Sequence, residues 1–269
     1  MFYIDSVNNN KIAVYDLNPE GKKTIFLVHG WPLSHKMFEY QVNVLVDYGY
    51  RVITMDLRGF GNSDATAAGY DYDTLATDLY YVIYYMGLCD ITLVGFSMGG
   101  AIATRYMTLY KGYGVSKLCL WGAAVPSFTK TENNPYGVTI EYVNDLINQV
   151  YRDRPKLNKD FGNMLFATNV SEPLRNWFLD ISNSASSVGE IGTAISLRDE
   201  DLYNELHRIC VPTGIFHGEK DKVCNFGFAK IMHREIPNSR LFAFPNAGHA
   251  AFYDELDNFN KAFLGFIRK

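Results

Sequence analysis

The sequence has few of the features that mark disulfide-rich, metal-binding or cofactor-binding proteins. Its four cysteines lie far apart among 269 residues, with neither a CxxC pair nor a histidine cluster beside them: Cys89, Cys119, Cys210 and Cys224. We therefore expect free thiols, without a disulfide framework or a zinc site. No phosphate-binding loop or metal-ligand array appears either, so no cofactor and no metal are expected.

Positive charge and long apolar runs are also scarce. Lys and Arg number 25 against 29 Asp and Glu, which gives a net charge of −4. A mildly acidic chain lacks the basic surface that nucleic acids and anionic membranes require, and we exclude both as partners. No run of 18 apolar residues occurs and the N-terminus resembles no export signal, so we expect a cytoplasmic protein. The sequence leaves the oligomeric state open, a homo-oligomer included.

The remaining composition is that of an ordinary globular protein. Hydrophobic residues make up 48% and charged residues 20%, and the aromatic share of 15% is enough to line a sizeable apolar pocket. The length suits one large domain, or a core with a modest insertion.

Short apolar runs alternate with amphipathic segments along most of the chain. Strands are predicted at residues 11–17, 24–29, 50–56, 91–95, 115–121, 213–217 and 239–244, and helices at 36–48, 72–86, 98–110, 226–235 and 252–267. Continuous apolar strands separated by helices indicate an α/β fold, with a mostly parallel twisted sheet covered by helices on both faces. Functional sites of such sheets lie beyond the carboxyl ends of the strands.

One stretch interrupts this alternation. Residues 126–205 show only helical pieces, such as 140–151 and 174–181. We interpret this stretch as a helical cap (lid) inserted into a core made of residues 1–125 and 206–269. An independent second domain is the alternative.

The segment Gly95-Phe96-Ser97-Met98-Gly99 joins an apolar strand to a helix. A serine in this context sits on a sharp turn, where the flanking glycines avoid clashes and the hydroxyl projects above the sheet. Ser97 is therefore the candidate nucleophile. The earlier turn His29-Gly30-Trp31-Pro32 places the Trp31 N–H where it can join the Met98 N–H as an oxyanion hole.

The candidate base is His249, which follows the strand 239–244 and precedes the last helix. His29 is a second candidate, although beside a turn glycine we expect it to brace the loop. The candidate acid is Asp221, 28 residues before His249 and just after the strand 213–217. Glu219 is its near competitor, and Asp254 is interpreted as a first-turn helix charge.

These motifs resemble the α/β-hydrolase superfamily, and most closely its cofactor-free haloperoxidase and aryl esterase branch. The segments that carry the resemblance span nearly the whole chain: residues 29–34, 56–63, 95–100, 131–135 and Gly248-His249. The resemblance implies the α/β-hydrolase fold, with Ser97, Asp221 and His249 as the catalytic triad. One departure is Cys224-Asn225, where Val-Pro is common in the family, and it puts the local loop geometry in question.

The leading hypothesis is a serine esterase that cleaves small carboxylic esters, with an apolar substrate site near Trp31, Phe96, Trp121 and Phe128. The family resemblance adds perhydrolysis as a secondary activity, in which hydrogen peroxide replaces water and the peracid oxidises halide. Pro32 would favour it by fixing the orientation of a loop carbonyl that accepts a hydrogen bond from peroxide. The alternative to an enzyme is a small-ligand receptor of the same fold with slow or single turnover.

Overall fold

A computed structural model describes residues 1–268. Eight strands form a single sheet in the order β1-β2-β4-β3-β5-β6-β7-β8. Only the two pairings made by β2 are antiparallel within the described residues, and all the other strand pairs are parallel. The strands are β1 (Phe2–Asp5), β2 (Lys11–Leu17), β3 (Thr24–Val28), β4 (Arg51–Met55), β5 (Ile91–Phe96), β6 (Val115–Trp121), β7 (Thr213–Gly218) and β8 (Ser239–Phe244).

Nine α-helices are present in the described part of the chain. They are α1 (Glu39–Asp47), α2 (Tyr72–Tyr85), α3 (Met98–Leu109), α4 (Ile140–Gly162), α5 (Glu172–Asn183), α6 (Ser187–Asp199), α7 (Phe226–Glu235), α8 (Ala251–Asp254) and α9 (Leu256–Ile267). Short 3-10 helices cover Val7–Asn9, His35–Phe38 and Tyr203–Arg208. None of the helices within residues 1–268 has the length and apolar character needed to cross a membrane.

The central strands form the middle layer of the fold. Every residue of β5 and of β7 is buried, as expected for parallel strands that helices cover on both faces. Helices α2 and α3 pack together, and the 3-10 helix Tyr203–Arg208 contacts both α3 and α7. Helix α1 is tied instead to the C-terminal helices, since the Gln41 side chain donates to the Phe252 carbonyl oxygen. The prediction of a mostly parallel sheet flanked by helices is confirmed.

The chain between β6 and β7 forms helices α4, α5 and α6, and we call residues 126–205 the cap segment. Helix α6 was not predicted from the sequence, because Gly189 and Gly192 weaken its helical pattern. Gly192 is required there, since a Cβ atom would lie 2.4 Å from the ring of Tyr70. Ser186 caps the helix by accepting a hydrogen bond from the Gly189 N–H at 3.0 Å.

Two further details differ from the predicted elements. Strand β1, which pairs only with β2, was not predicted, and most of its residues are exposed. The predicted helix 252–267 is divided into α8 and α9 at Glu255, whose backbone (φ −124°, ψ 52°) is not helical.

Candidate active site

Ser97 lies on a sharp turn between β5 and α3. Its backbone angles, φ 54° and ψ −120°, are unusual for a residue with a side chain, and this strain is typical of a functional serine in a strand-to-helix turn. The turn packs so closely on β3 that a Cβ atom on Gly99 would lie 2.3 Å from the Val28 carbonyl oxygen. Gly95 is equally constrained, with the Gly99 carbonyl oxygen 2.3 Å from its Cβ position.

The loop after β3 lies directly against Ser97. A Cβ atom on Gly30 would approach the Ser97 Cβ to 2.8 Å, so only glycine allows this contact. Trp31 follows Gly30, and Met98 follows Ser97 as the first residue of α3. The two residues predicted to supply oxyanion donors therefore flank the serine.

His29 stabilises this loop through two hydrogen bonds to backbone groups. Its Nδ1 donates to the Gly30 carbonyl oxygen at 3.0 Å, and its Nε2 accepts from the Leu57 N–H at 3.0 Å. Burial of the ring lowers the pKa of His29 to about 4, although Asp56 opposes the shift. Because both ring nitrogens are occupied by backbone groups, His29 is not free to act as the base.

His249 and Asp221 form a buried pair. The Nδ1 of His249 lies 2.7 Å from Oδ2 of Asp221, and its Nε2 is buried without a hydrogen-bond partner among the described residues. Oδ1 of Asp221 accepts the N–H groups of Val223 and Cys224 at 2.7 and 2.9 Å. Burial alone would raise the pKa of the Asp221 carboxyl, but His249 and His217 outweigh it and hold that pKa well below its usual range.

The backbone after β6 connects Ser97 with His249. The Ser97 N–H donates to the Trp121 carbonyl oxygen at 2.9 Å, and the Ser97 carbonyl oxygen accepts from the Ala124 N–H at 3.0 Å. Between these residues is Gly122 (φ 48°), where a Cβ atom would lie 3.2 Å from Nδ1 of His249. The His249 ring also packs on Phe96, with ring centroids 4.7 Å apart. Ser97, His249 and Asp221 are thus gathered at the carboxyl edge of the sheet.

A second histidine contacts Asp221. His217 is the fifth residue of β7, fully buried, and its Nε2 lies 3.2 Å from Asp221 Oδ2 and 2.7 Å from the Cys224 carbonyl oxygen. No role for His217 was predicted from the sequence. The signal that could have revealed it is its position at the end of a strand, four residues before the candidate acid.

The unusual Cys224-Asn225 pair leaves the acid loop well supported. The Cys224 N–H donates to Asp221, and the Cys224 carbonyl oxygen accepts from His217. Asn225 caps α7 by accepting a hydrogen bond from the Gly227 N–H at 2.8 Å. The loop therefore closes through polar contacts at the position where proline is common in the family.

Asp254 lies in the single turn of the short helix α8, as expected for a first-turn helix charge. Its Oδ2 accepts the N–H groups of Gly248 and Ala167 at 2.7 and 2.8 Å. It therefore joins the loop that carries His249 to the cap segment, a positioning role that the sequence did not indicate.

A small apolar cavity of about 10 Å³ lies beside Ser97. Its lining comes from the core loops and from the cap segment: Trp31, Ser97, Phe128, Val143, Leu146, Phe161, Ala194, Leu197 and Val223. Ser97 is the one hydroxyl among otherwise apolar side chains in this set. An apolar lining of this kind suits an apolar group and leaves the serine as its main polar feature.

Two of the four predicted substrate-binding aromatics do not line this cavity. Trp121 lies in the core against α9, with its ring 4.8 Å from that of Phe259 and 4.9 Å from that of Phe263. Phe96 packs between the rings of His249 and Phe252. Trp31 and Phe128 do line it. The difference arises because the side chain at the end of a strand faces only one side of the sheet. For Trp121 that is the side covered by α9.

The competing acid Glu219 and two further histidines differ from the buried pair of Asp221 and His249. Glu219 is exposed, whereas Asp221 is buried. His35 pairs with Asp56 at 2.7 Å, and His233 contacts Ser239 on the surface. Within residues 1–268, no three His, Cys, Asp or Glu side chains are grouped so that they could hold a metal ion.

Comparison with known proteins gives the family. A family model described as the alpha/beta hydrolase fold matches residues 23–256. The AB hydrolase superfamily protein YisY of Bacillus subtilis is 48% identical over 264 residues, which cover 98% of both chains. The solved structure of an esterase from Exiguobacterium antarcticum has a TM-score of 0.97 at 46% identity, covering 100% of this chain and 99% of that one.

The relatives also include enzymes of the predicted branch. The bifunctional esterase/perhydrolase DCH of Acinetobacter calcoaceticus is 32% identical and matches 100% of both chains. Proteins named non-haem haloperoxidase and non-haem chloroperoxidase match more than nine tenths of the chain. The chain therefore belongs to the α/β-hydrolase fold family, in the branch that contains esterases and non-haem haloperoxidases.

Proposed function

We propose that the protein is a serine esterase for small carboxylic esters, in which Ser97 is the nucleophile, His249 the general base and Asp221 the orienting acid. The main support is the 2.7 Å contact between His249 Nδ1 and Asp221 Oδ2, with Nε2 left without a partner beside the strained serine turn. A histidine held at one nitrogen by a carboxylate presents the other nitrogen as a base.

The reaction proceeds in two halves. Ser97 Oγ attacks the ester carbonyl carbon while its proton passes to Nε2 of His249, and the carbonyl oxygen becomes an oxyanion between the N–H groups of Trp31 and Met98. The intermediate collapses, and the alcohol leaves with the proton from His249. Water then gives its proton to His249 and attacks the acyl-enzyme, which releases the acid and restores Ser97.

The depressed pKa of Asp221 suits this role, because the carboxylate stays charged through the working pH range. It can then stabilise the imidazolium that forms transiently in each half-reaction. The apolar cavity favours a short acyl or aryl group, since its lining beyond Ser97 offers no charged partner.

The experiment is steady-state hydrolysis of p-nitrophenyl esters from acetate to octanoate by the purified protein. We expect many turnovers per protein molecule, highest for the short chains. Glu219→Gln, which changes an exposed carboxylate near the acid loop, serves as a control and should keep its activity. A single slow turnover accompanied by a shape change would instead support a receptor of this fold.

Perhydrolysis is a second candidate activity, supported by the relative named as an esterase/perhydrolase. In this reaction hydrogen peroxide attacks the acyl-enzyme in place of water and releases a peracid, which then oxidises halide. Pro32 follows Trp31 at the edge of the cavity, and its ring fixes the backbone there. We expect peracid from an acetyl ester and peroxide, with a reduced peroxide preference in Pro32→Leu. An unchanged preference would remove the role given to Pro32, and peracid at the uncatalysed rate would exclude the activity.

A further inference from the structure

His217 makes contacts that the ester-cleaving reaction does not itself require. Its Nε2 lies 2.7 Å from the carbonyl oxygen of Cys224 and 3.2 Å from Oδ2 of Asp221. Both partners are acceptors, so Nε2 must carry the proton and donate it. The other ring nitrogen, Nδ1, is buried without a hydrogen-bond partner among the described residues, which suits a neutral ring protonated at Nε2.

Asp221 consequently has four close polar contacts in a fully buried position. Two come from the backbone of its own loop to Oδ1, and two from His249 and His217 to Oδ2. The His217 N–H donates to the Cys224 carbonyl oxygen and lies close to the carboxylate, so one group contacts both Asp221 and the backbone three residues further on.

We propose that His217 is a positioning residue, which holds the Asp221 carboxylate and the turn after it in the orientation that meets His249. This inference rests on the proposed function of Asp221 and His249. His217 acts through Asp221 and does not touch the reacting atoms.

A second consequence is electrostatic. A hydrogen-bond donor near Oδ2 draws part of the negative charge of Asp221 toward itself. The carboxylate then attracts the proton that His249 gains less strongly. Three titratable groups face this carboxylate: His249 from the loop after β8, His217 from β7 and the Cys224 thiol on the acid loop itself. Burial raises the pKa of the Cys224 thiol well above its usual range, so that group stays neutral.

Loss of the His217 donor therefore has two measurable effects. The Asp221 carboxylate becomes free to rotate, which lowers kcat with little change in KM because no substrate contact is lost. Its charge also concentrates on the bond to His249, which then keeps its proton to a higher pH. The acidic limb of the kcat/KM profile should accordingly move to higher pH.

The test compares His217→Leu, which keeps bulk but removes the donor, with His217→Gln, whose amide N–H can reach the place of Nε2. For p-nitrophenyl acetate we expect His217→Leu to lower kcat on the order of tenfold, with KM within about twofold. The acidic limb of its kcat/KM profile should move to higher pH by about half a unit. His217→Gln should restore both properties to near the wild-type values.

A spectroscopic measurement separates this inference from the proposed function. The proton between His249 and Asp221 gives a low-field resonance in the ¹H NMR spectrum of the resting protein, whether or not the protein cleaves esters. We expect this resonance to shift in His217→Leu and to return in His217→Gln. If His217→Leu does not fold, His217→Asn takes its place, because the shorter amide cannot reach Asp221.

Two results would overturn the proposal. One is an unchanged resonance and acidic limb in a folded variant that lacks the donor. The other is equal impairment of the Leu and Gln variants without a pH shift, which would indicate packing alone. If Asp221→Asn kept full activity while the resonance still responded to His217, the proposed function would fail and the positioning contact would stand.

Discussion

The indole N–H of Trp31 donates to the backbone carbonyl oxygen of Glu190 at 3.0 Å, across 159 residues of sequence. This bond joins the loop beside Ser97 to helix α6 of the cap segment. The Glu190 side chain continues the connection, because its buried carboxylate pairs with Arg154 of α4 at 2.8 Å. The loop after β3 is thus fastened to helices α6 and α4 of the cap segment through Glu190.

Arg154→Met should destabilise the protein because it leaves the Glu190 carboxylate buried without its partner. We expect a loss of about 3 kcal/mol in the free energy of unfolding, measured by urea denaturation. Burial raises the pKa of Glu190 while Arg154 opposes the shift, so protonation at low pH should relieve part of the loss. The double variant with Glu190→Gln should recover stability at pH 7. Equal stabilities of the single and double variants would contradict this account of the pair.

Asp221→Asn should lower kcat by roughly 10³–10⁴, since His249 loses the anion that orients it and stabilises its charged form. Glu219→Gln is the matched control, because it changes an exposed carboxylate two residues away. Steady-state kinetics on p-nitrophenyl acetate measure both variants. A severe defect in Glu219→Gln together with a mild one in Asp221→Asn would show that the acid is Glu219.

The folded protein should lose stability as His29 is titrated in acid. Its pKa is about 4 when folded, below the ordinary value of 6.5, so the unfolded chain takes up a proton first as the pH falls. The contribution is fully present above pH 6.5 and is lost as the pH falls to 4, by up to about 3 kcal/mol. Urea denaturation between pH 7 and 4 measures it. His29→Gln should show a flatter profile, and parallel profiles would refute the prediction.

Leu146→Ala should shift the substrate preference toward esters with longer acyl chains. Leu146 lines the cavity from α4, and its truncation removes apolar volume where a longer chain would lie. We expect the ratio of kcat/KM for octanoate over acetate esters to rise on the order of tenfold. Ile147→Ala is the control on the same helix, outside the cavity lining, and should leave the ratio unchanged. Equal changes in both variants would indicate a general loosening of α4.

Much of the fold and of the candidate site could be predicted because the relevant signals are local. Ser97, Asp221 and His249 each follow a strand of the sheet, and the carboxyl ends of parallel strands meet at one edge. The glycines around Ser97 are local signals too, since the turn leaves no room for a side chain.

Other features depend on how distant segments meet. The side of the sheet that Trp121 faces follows from the register of β6 and the position of α9, neither of which the sequence reveals. The contact between His217 and Asp221 depends on the acid loop folding back over the end of β7. Helix α6 is held by its contacts with the core, including the approach of Tyr70 to Gly192, and its own sequence is a poor helix former.

The measurement that tests the central claim most directly is covalent labelling of the intact protein by an organophosphate, with the site located by peptide mass spectrometry. We expect one adduct per chain, on Ser97, with activity lost in proportion to labelling. Ser97→Ala should take up no label, remain folded and lose turnover by a factor on the order of 10⁵–10⁶. An adduct at another residue, or a Ser97→Ala variant active within tenfold of the wild type, would contradict the account.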